Sequence, residues 1–153
     1  MRIFTQLLDA FKVLNKYSIM HRDLKPDNIF FHDGQLKLGD FGFCKSMPNE
    51  GDMTSTMLGS PIYMAPEVLR GEIYTSKADI WSLGVVLYEM IFGICPFESK
   101  SIAQLITALD STPLHFPSQV TVSESTLYLL KRLLTKDQFK RIDWFELLTM
   151  DLG

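Results

Sequence analysis

The sequence predicts a mainly α fold that includes one small β-hairpin. Apolar residues in the first segment recur at steps of three and four, which is the spacing of one helical face. Residues 76–79 and 101–104 each begin with a serine followed three positions later by an acid or an amide, the capping-box pattern that opens a helix. The pair Asp33-Gly34 lies between two short apolar runs, as in the tight turn of a hairpin. Helices are therefore expected to fill most of the chain, with a local sheet near its start.

The first part of the chain is predicted to hold one helix and the hairpin. A helix over residues 1–17 follows from one apolar face, formed by Ile3, Phe4, Leu7, Leu8, Phe11 and Leu14. After a polar loop come two short strands, 29–31 and 36–38, which the turn joins. From Asp40 to Pro66 no period holds, and Pro, Gly, Ser, Thr and Asn are frequent. We expect a long loop there, and loops of that length in compact domains are usually functional or disordered.

The remainder of the chain is predicted to form four helices. Two begin at the capping boxes of Ser76 and Ser101, and a last one begins at Asp143 and runs toward Met150. Another helix between them has an apolar face made of Leu127, Leu130, Leu133 and Leu134. The helix that begins at Ser76 is apolar on every side, as expected of a helix in the centre of a core. No repeat or linker divides the 153 residues, so one domain is expected.

Composition and charge exclude several classes of protein. The 15 basic and 18 acidic residues leave a net charge of −3, which provides no electrostatic attraction to nucleic acid or to an anionic membrane. Cys44 and Cys95 are too few for a disulfide framework and fit a reducing compartment, so an intracellular, cytoplasmic protein is expected. Ser82 and Glu89 interrupt the most apolar stretch, 80–97, which falls short of the about 20 apolar residues of a membrane span. Composition leaves the oligomeric state open.

Two clusters of polar residues carry the chemistry. One is the loop His21-Arg-Asp-Leu-Lys-Pro-Asp-Asn28, and the other is Asp40-Phe-Gly42 at the far end of the hairpin. The hairpin can bring Asn28 and Asp40 side by side, and an amide oxygen plus a carboxylate are hard ligands that suit Mg²⁺. Asp23 and Lys25 would supply a proton acceptor and a cation near the same metal. This combination predicts phosphoryl transfer to a hydroxyl.

The chain resembles the eukaryotic protein kinase family of the serine/threonine type. The resemblance rests on the two clusters and on Ala65-Pro-Glu67, which match the family's catalytic loop, magnesium loop and activation-segment end in the family's order. It covers essentially the whole chain and implies a protein-kinase-like C-terminal helical lobe with a small β-hairpin that carries the catalytic and metal-binding loops. It also implies ATP and Mg²⁺ as cofactors, and proteins with serine or threonine acceptors as substrates.

The resemblance implies roles for the residues of the two clusters. Asp23 would accept or orient the substrate hydroxyl, and Lys25 would steady the charge on the transferring phosphoryl group. Asn28 and Asp40 would hold the metal and, with Lys25, the nucleotide, while Phe30 would form the floor under the adenine. Plainer interpretations stay open beside these: Asp23 as an ordinary turn aspartate, and Asp40 as the start of an Asx turn that is compatible with metal binding.

The resemblance further implies an acceptor pocket and a phosphate switch. Ser60 would line the pocket and hydrogen-bond toward the two catalytic side chains, although a serine before a proline also simply starts turns. Arg22 would pair with a phosphate carried by Thr56, and Lys45 would provide the second basic contact. Two neighbouring hydroxyls compete for the phosphate, Thr54 and Ser55. The plainer alternative is that these hydroxyls belong to a solvated loop.

Structural roles are implied for six residues, His21, Phe41, Gly42, Glu67, Asp79 and Arg141. His21 would pack beneath Phe41, within the magnesium loop that Gly42 completes. Asp79 would hold the backbone of the catalytic loop and also cap its own helix. Glu67 and Arg141 would form an ion pair between the activation segment and the late helices, the alternative being an exposed arginine.

Features of the family's N-terminal lobe are missing from the sequence. It contains no Gly-x-Gly-x-x-Gly motif, and only about twenty residues precede the catalytic loop, too few for a lobe of five strands. We therefore expect a C-terminal lobe over residues 1–153, whose complete activity requires the other lobe. The alternative is a truncated pseudokinase that acts as a protein-binding module. Within the family, stretches such as Arg141-Ile-Asp-Trp-Phe are similar to the kinases that initiate autophagy, with the calcium/calmodulin-related group next.

Overall fold

A computed structural model describes residues 2–46 and 59–152, and within them the mainly α prediction is confirmed. The described helices are α1 (Arg2–Lys16), α2 (Pro66–Leu69), α3 (Lys77–Phe92), α4 (Ile102–Ser111), α5 (Glu124–Leu133) and α6 (Trp144–Thr149). The described strands are β1 (Ile19–Met20), β2 (Ile29–His32), β3 (Gln35–Leu38) and β4 (Lys45–Ser46). Single 3₁₀ turns occur at Pro26–Asn28 and Pro61–Tyr63.

The first helix and the hairpin follow the prediction closely. One face of α1 is buried, through Phe4, Leu7, Leu8, Phe11 and Leu14, whereas Ile3, which was predicted on the same face, is exposed. β2 and β3 pair antiparallel with Phe31 opposite Leu36, so that Asp33 and Gly34 form the two-residue turn. Both turn residues have positive φ, 49° and 74°, which is the backbone that a two-residue hairpin turn with an Asp-Gly pair adopts.

The long loop predicted from Asp40 to Pro66 is more structured than expected where it is described. β4 pairs antiparallel with β1, placing Met20 opposite Lys45. A 3₁₀ turn, Pro61–Tyr63, comes shortly before α2. Strands of two residues are too short to show a period in the sequence, so only their non-local pairing defines them.

The centre of the core is α3, as its apolar sequence predicted. Every residue from Ala78 to Tyr88 is buried. Gly84 allows α5 to approach, since a Cβ at this position would lie 2.8 Å from Cβ of Leu133. Among the described residues, no helix combines the length and hydropathy that a membrane crossing needs.

Three helices begin with side-chain caps at the predicted positions or at a similar one, and at α3 the hydroxyl of Thr75, rather than that of Ser76, accepts from the N–H of Lys77 at 3.2 Å. Ser101, Ser123 and Asp143 accept hydrogen bonds from backbone N–H groups of the first turns of α4, α5 and α6. Ser76 precedes α3 without capping it, because its hydroxyl oxygen accepts from Trp144 Nε1 at 3.1 Å. Asp79 does not cap its helix either, since both its oxygens accept from the loop that follows β1. The prediction of a capping box at α3 is therefore wrong, although the helix begins where expected.

Candidate active site

Asp79 fixes the backbone at the start of the 21–28 loop. Its carboxylate oxygens accept from the backbone N–H of His21 at 2.8 Å and of Arg22 at 2.9 Å. Arg22 has a φ of 67°, a left-handed conformation that costs a residue with a side chain about 1 kcal/mol or more. Burial raises the pKa of the Asp79 carboxyl, and the two N–H donors oppose that rise. The most buried helix thus holds a strained loop by two directed hydrogen bonds.

His21 joins this loop to the end of the hairpin. The backbone N–H of Asp23 can only donate, so Nδ1 of His21 accepts it at 3.3 Å. Nε2 then carries the proton of the neutral imidazole and donates to the carbonyl of Gly39 at 3.0 Å. The ring, which is fully buried, meets the ring of Phe41 edge-on at 5.4 Å between centroids. The expected packing of His21 beneath Phe41 is present.

Three side chains converge on the buried carboxylate of Asp23. Oδ1 accepts from the backbone N–H of Ser60 at 3.1 Å and from its hydroxyl at 3.3 Å. Oδ2 accepts from Nδ2 of Asn28 at 3.3 Å and lies 3.8 Å from Nζ of Lys25. Lys25 in turn donates to the Ser60 hydroxyl at 3.0 Å. An ordinary turn aspartate would be exposed, whereas Asp23 is only 5% exposed and is oriented from several sides.

Gly59, which directly precedes Ser60, makes this contact possible. Gly59 has a φ of +112°, and a Cβ there would lie 2.5 Å from the carbonyl oxygen of Arg22. The segment that carries Ser60 therefore approaches the loop backbone more closely than any side chain permits. The Gly-Ser-Pro sequence signalled a turn, but only the fold shows what the glycine faces.

Asn28 and Asp40 lie at the two ends of the hairpin base. The carbonyl of Asn28 accepts from the N–H of Gly39 at 2.9 Å, and Asp40 is the next residue. Both Nδ2 protons of Asn28 point at Asp23, toward its carbonyl at 2.7 Å and toward Oδ2. Among the hydrogen bonds of the described residues, none uses Oδ1 of Asn28. The amide of Asn28 is thus held in one orientation, and its Oδ1 remains available as an acceptor or a ligand.

Asp40 is exposed and makes the Asx turn that was the plainer interpretation. Its φ is 54°, and Oδ1 accepts from the N–H of Gly42 at 3.3 Å. One amide oxygen and one carboxylate fit a hard cation such as Mg²⁺, which retains waters and phosphate oxygens in its octahedron. Within residues 2–46 and 59–152, no group of three or more His, Cys, Asp or Glu side chains forms a metal cage of the protein's own. The donor set therefore fits a metal that arrives with a phosphate ligand.

Phe30 lies on the hairpin beside these two residues. Its ring is 53% exposed and covers Gly39, where a Cβ would lie 2.6 Å from Cε2 of the phenylalanine. The one sign of Gly39 in the sequence is its place directly before Asp40. An exposed aromatic ring on this surface offers a flat apolar platform.

The candidate phosphate pocket is described in part. Nε of Arg22 donates to the carbonyl of Phe43 at 2.6 Å, and Lys45 follows in β4. Thr56 and its competitors lie outside the described residues. Arg22 thus contacts the segment that leads to Lys45, and the pairing of these two residues with a phosphate stays a prediction.

Glu67 and Arg141 form a bidentate ion pair. Nη1 and Nη2 donate to the two carboxylate oxygens at 2.6 and 2.9 Å. The remaining guanidinium protons reach backbone carbonyls of Thr135, Lys77 and Lys136. Arg141 is 1% exposed, so the alternative of an exposed arginine is wrong.

Three other ionisable groups near the site are held in their neutral forms. Burial raises the pKa of the Cys44 thiol to about 11 and that of the Cys95 thiol to about 11. Burial, and then a 2.8 Å hydrogen bond to Glu89, raise the pKa of Tyr63 far above its usual range. The two cysteines are therefore thiols at neutral pH, as small packing residues should be.

A sequence model described as the protein kinase domain matches residues 1–152. The chain is 40% identical over 147 residues to serine/threonine-protein kinase 36 of Mus musculus, covering 95% of this chain and 11% of that protein. It is 41% identical over 143 residues to serine/threonine-protein kinase atg1 of Dictyostelium discoideum, covering 91% of this chain and 21% of that protein.

A third relative shows a similar identity. Serine/threonine-protein kinase Sgk2 of Homo sapiens is 43% identical over 138 residues, covering 90% of this chain and 37% of that protein. The chain therefore spans from 11% to 37% of the lengths of these three relatives. The expected similarity to the atg1 type of kinase is present, alongside equal similarity to other types.

Proposed function

This chain belongs to the protein kinase family, and on that premise we propose that residues 1–153 form the C-terminal lobe of a serine/threonine protein kinase. Its reaction is transfer of the γ-phosphoryl group of Mg-ATP to serine and threonine hydroxyls of protein substrates. The observation that carries the proposal is the convergence of Lys25, Asn28 and Ser60 on the buried carboxylate of Asp23. Phosphoryl transfer requires the acceptor hydroxyl to be aligned with the phosphate, and a carboxylate held in one orientation can provide that alignment.

Asp23 is proposed to orient the acceptor hydroxyl and to take its proton. Ser60 occupies Oδ1 through two hydrogen bonds, while Oδ2 has a hydrogen bond from Asn28 alone and retains acceptor capacity. Lys25 is proposed to donate to the transferring phosphoryl group. The Lys25 side chain is 25% exposed, and its Nζ lies 3.8 Å from Oδ2 of Asp23. The ammonium group and the carboxylate are therefore close enough to act on the same phosphoryl group and acceptor hydroxyl.

Asn28 and Asp40 are proposed as the metal ligands, and Phe30 as the platform under the adenine. Bound Mg²⁺ would neutralise charge on the phosphates during transfer. The support for Asn28 is the fixed orientation of its amide, with Nδ2 bonded to Asp23 and Oδ1 left to face a cation. The support for Asp40 is its exposed carboxylate directly after Gly39, whose N–H bonds to the Asn28 carbonyl.

We propose in addition that Thr56 carries a phosphate that Arg22 and Lys45 bind. Arginine pairs with phosphate through two parallel hydrogen bonds, and such a pair would tie the activation segment to the catalytic loop. The position of Arg22 supports this, since it directly precedes Asp23 and its backbone is held by Asp79. Free thiols at Cys44 and Cys95 favour an intracellular location.

The experiment is calorimetric titration of this chain with ATP in the presence of Mg²⁺. We expect binding in the micromolar range that is lost in Asp40→Ala. Asp33→Ala is the matched control, because Asp33 is also an exposed aspartate with positive φ, 49° against 54°, at the opposite end of the same hairpin.

Each outcome distinguishes between the two functions considered. Binding that Asp40→Ala abolishes and Asp33→Ala preserves supports a working metal and phosphate site. Equal binding by all variants contradicts the assignment of Asp40 as a ligand. No binding by the unchanged chain means that catalysis belongs to a longer chain carrying the other lobe. In that case the chain by itself is at most a protein-binding module.

A further inference from the structure

The hairpin that carries the proposed nucleotide residues has little apolar attachment to the rest of the protein. Of the eight residues of β2 and β3, only Ile29, Leu36 and Leu38 are half-buried and packed against the core, with Lys37 and the others outside it. A two-stranded hairpin is at best marginally stable alone. Apolar contact is also non-directional, so it holds the hairpin near α1 without defining its orientation.

Two hydrogen bonds link β3 and its end to other elements. Leu36 lies opposite Phe31, yet its N–H donates outward to Oε1 of Gln6 on α1 at 2.8 Å. Three residues later, the carbonyl of Gly39 accepts from Nε2 of His21. At about 3.3 Å per residue the two attachment points are about 10 Å apart along the strand. The base of the hairpin is also held at Asn28, through two hydrogen bonds to Asp23. Without the bond at Leu36, every one of these attachments would lie at the base, and the hairpin would be free to pivot about it.

We propose that Gln6 is a positioning residue for nucleotide binding, acting through the hydrogen bond that orients the hairpin carrying Asn28, Phe30 and Asp40. The inference rests on the proposed function for its consequence in binding. The claim that Gln6 orients the hairpin is independent of the proposed function, because the hydrogen bond from Leu36 to Gln6 is a property of the fold. Phe30 lies opposite Lys37, next to Leu36, so rotation of the hairpin moves its ring most directly.

The test compares Gln6→Leu with Gln6→Glu. Leucine keeps the size of the side chain but leaves the Leu36 N–H without its acceptor, whereas glutamate keeps an acceptor oxygen. Tyr88→Phe is the matched control, because it removes one side-chain to backbone bond, from Tyr88 to the His115 carbonyl at 2.7 Å, on the far part of α3. Two quantities are measured: hydrogen exchange of the Gly39 amide by NMR, and the Kd for Mg-ATP.

We expect Gln6→Leu to accelerate exchange of the Gly39 amide about tenfold and to weaken Mg-ATP binding by a similar factor. The amide of Leu83, buried in α3, should exchange at an unchanged rate, which separates hairpin opening from global unfolding. Gln6→Glu should restore both quantities. Tyr88→Phe should change neither.

The two measurements distinguish failure of this inference from failure of the proposed function. Unchanged Gly39 exchange in Gln6→Leu overturns the positioning role, whatever the binding result. Faster Gly39 exchange with an unchanged Kd also overturns it, because the site would then not depend on hairpin orientation. If the unchanged chain binds no Mg-ATP, the proposed function fails, and accelerated exchange that Gln6→Glu reverses still supports Gln6 as the residue that orients the hairpin.

Discussion

Substitution of Glu67 by methionine tests how the buried ion pair stabilises the fold. The guanidinium of Arg141 is fully removed from solvent, and the carboxylate of Glu67 is its only anionic partner among the described residues. After Glu67→Met, three backbone carbonyls and the ring of Trp81, 5.2 Å away, would remain around an uncompensated cation. Removing one partner of a buried pair costs about 3–5 kcal/mol. Against a total of about 5–15 kcal/mol for a domain, that loss is large.

The chain contains a matched control for this substitution. Glu146 accepts from Arg132 at 2.7 Å, which is close to the 2.6 Å of the buried pair, but its side chain is 44% exposed. Water screens such a pair, so Glu146→Met should cost about 1 kcal/mol at most. The two variants therefore make the same change of side chain and break contacts of nearly the same length, and they differ in burial.

Urea unfolding followed by circular dichroism measures both variants. The free energy of unfolding in water comes from linear extrapolation, and the slope must stay constant for the comparison to hold. At about 1 M NaCl, the loss of unfolding free energy caused by Glu146→Met should become smaller, whereas the loss caused by Glu67→Met should stay the same. A cost for Glu67→Met no larger than that for Glu146→Met would refute the reasoning, because burial would then not decide the strength of the pair.

Three further predictions concern single positions. Gly59→Ala should strongly lower the urea concentration at the unfolding midpoint, and it should abolish kinase activity in a longer, active chain, because the new Cβ would lie 2.5 Å from the Arg22 carbonyl oxygen. Gly71→Ala is the control, since Gly71 has a φ of +68° with open space around it, and its substitution should lower the free energy of unfolding by about 1 kcal/mol. The alkylation rate of Cys44 should rise about tenfold per pH unit through pH 9 without levelling, because its pKa is raised from 9.0 to about 11; a plateau near pH 9 in mass-spectrometric labelling would contradict this. Ser101→Ala should lower the free energy of unfolding by about 1 kcal/mol in the same urea assay, through loss of the α4 cap, and a change below measurement error would show that the cap contributes nothing.

The parts of the fold that the sequence predicted are those defined by neighbouring residues. The apolar face of α1 and the Asp33-Gly34 turn repeat or close within a few positions, so period and turn chemistry suffice to locate them. The same holds for the caps of α4 and α6, at Ser101 and Asp143. The residues of the 21–28 loop were predicted first from their donor and acceptor chemistry and then from the resemblance to protein kinases, because turn rules alone do not distinguish them.

The parts that the sequence could not predict depend on distant partners. Ser76 has the pattern of a cap, but Trp144 lies 68 positions away and takes its hydroxyl. The bond between Gln6 and Leu36 likewise joins a helix to a strand 30 positions later. A glycine such as Gly59 signals a turn in the sequence, yet its close approach to another backbone exists only once both segments are folded.

The arrangement around Asp79 explains why the site and the core are one structure. Asp79 belongs to the most buried stretch of α3, and its two oxygens hold the backbone of His21 and Arg22. His21 extends that support to the hairpin end, and Asp23, the next residue after Arg22, receives its own support from the segment at Ser60. Since each link is a directed hydrogen bond among buried or half-buried groups, the loop cannot shift without leaving a polar group unsatisfied. The geometry that we propose for phosphoryl transfer is therefore set by the packing of α3.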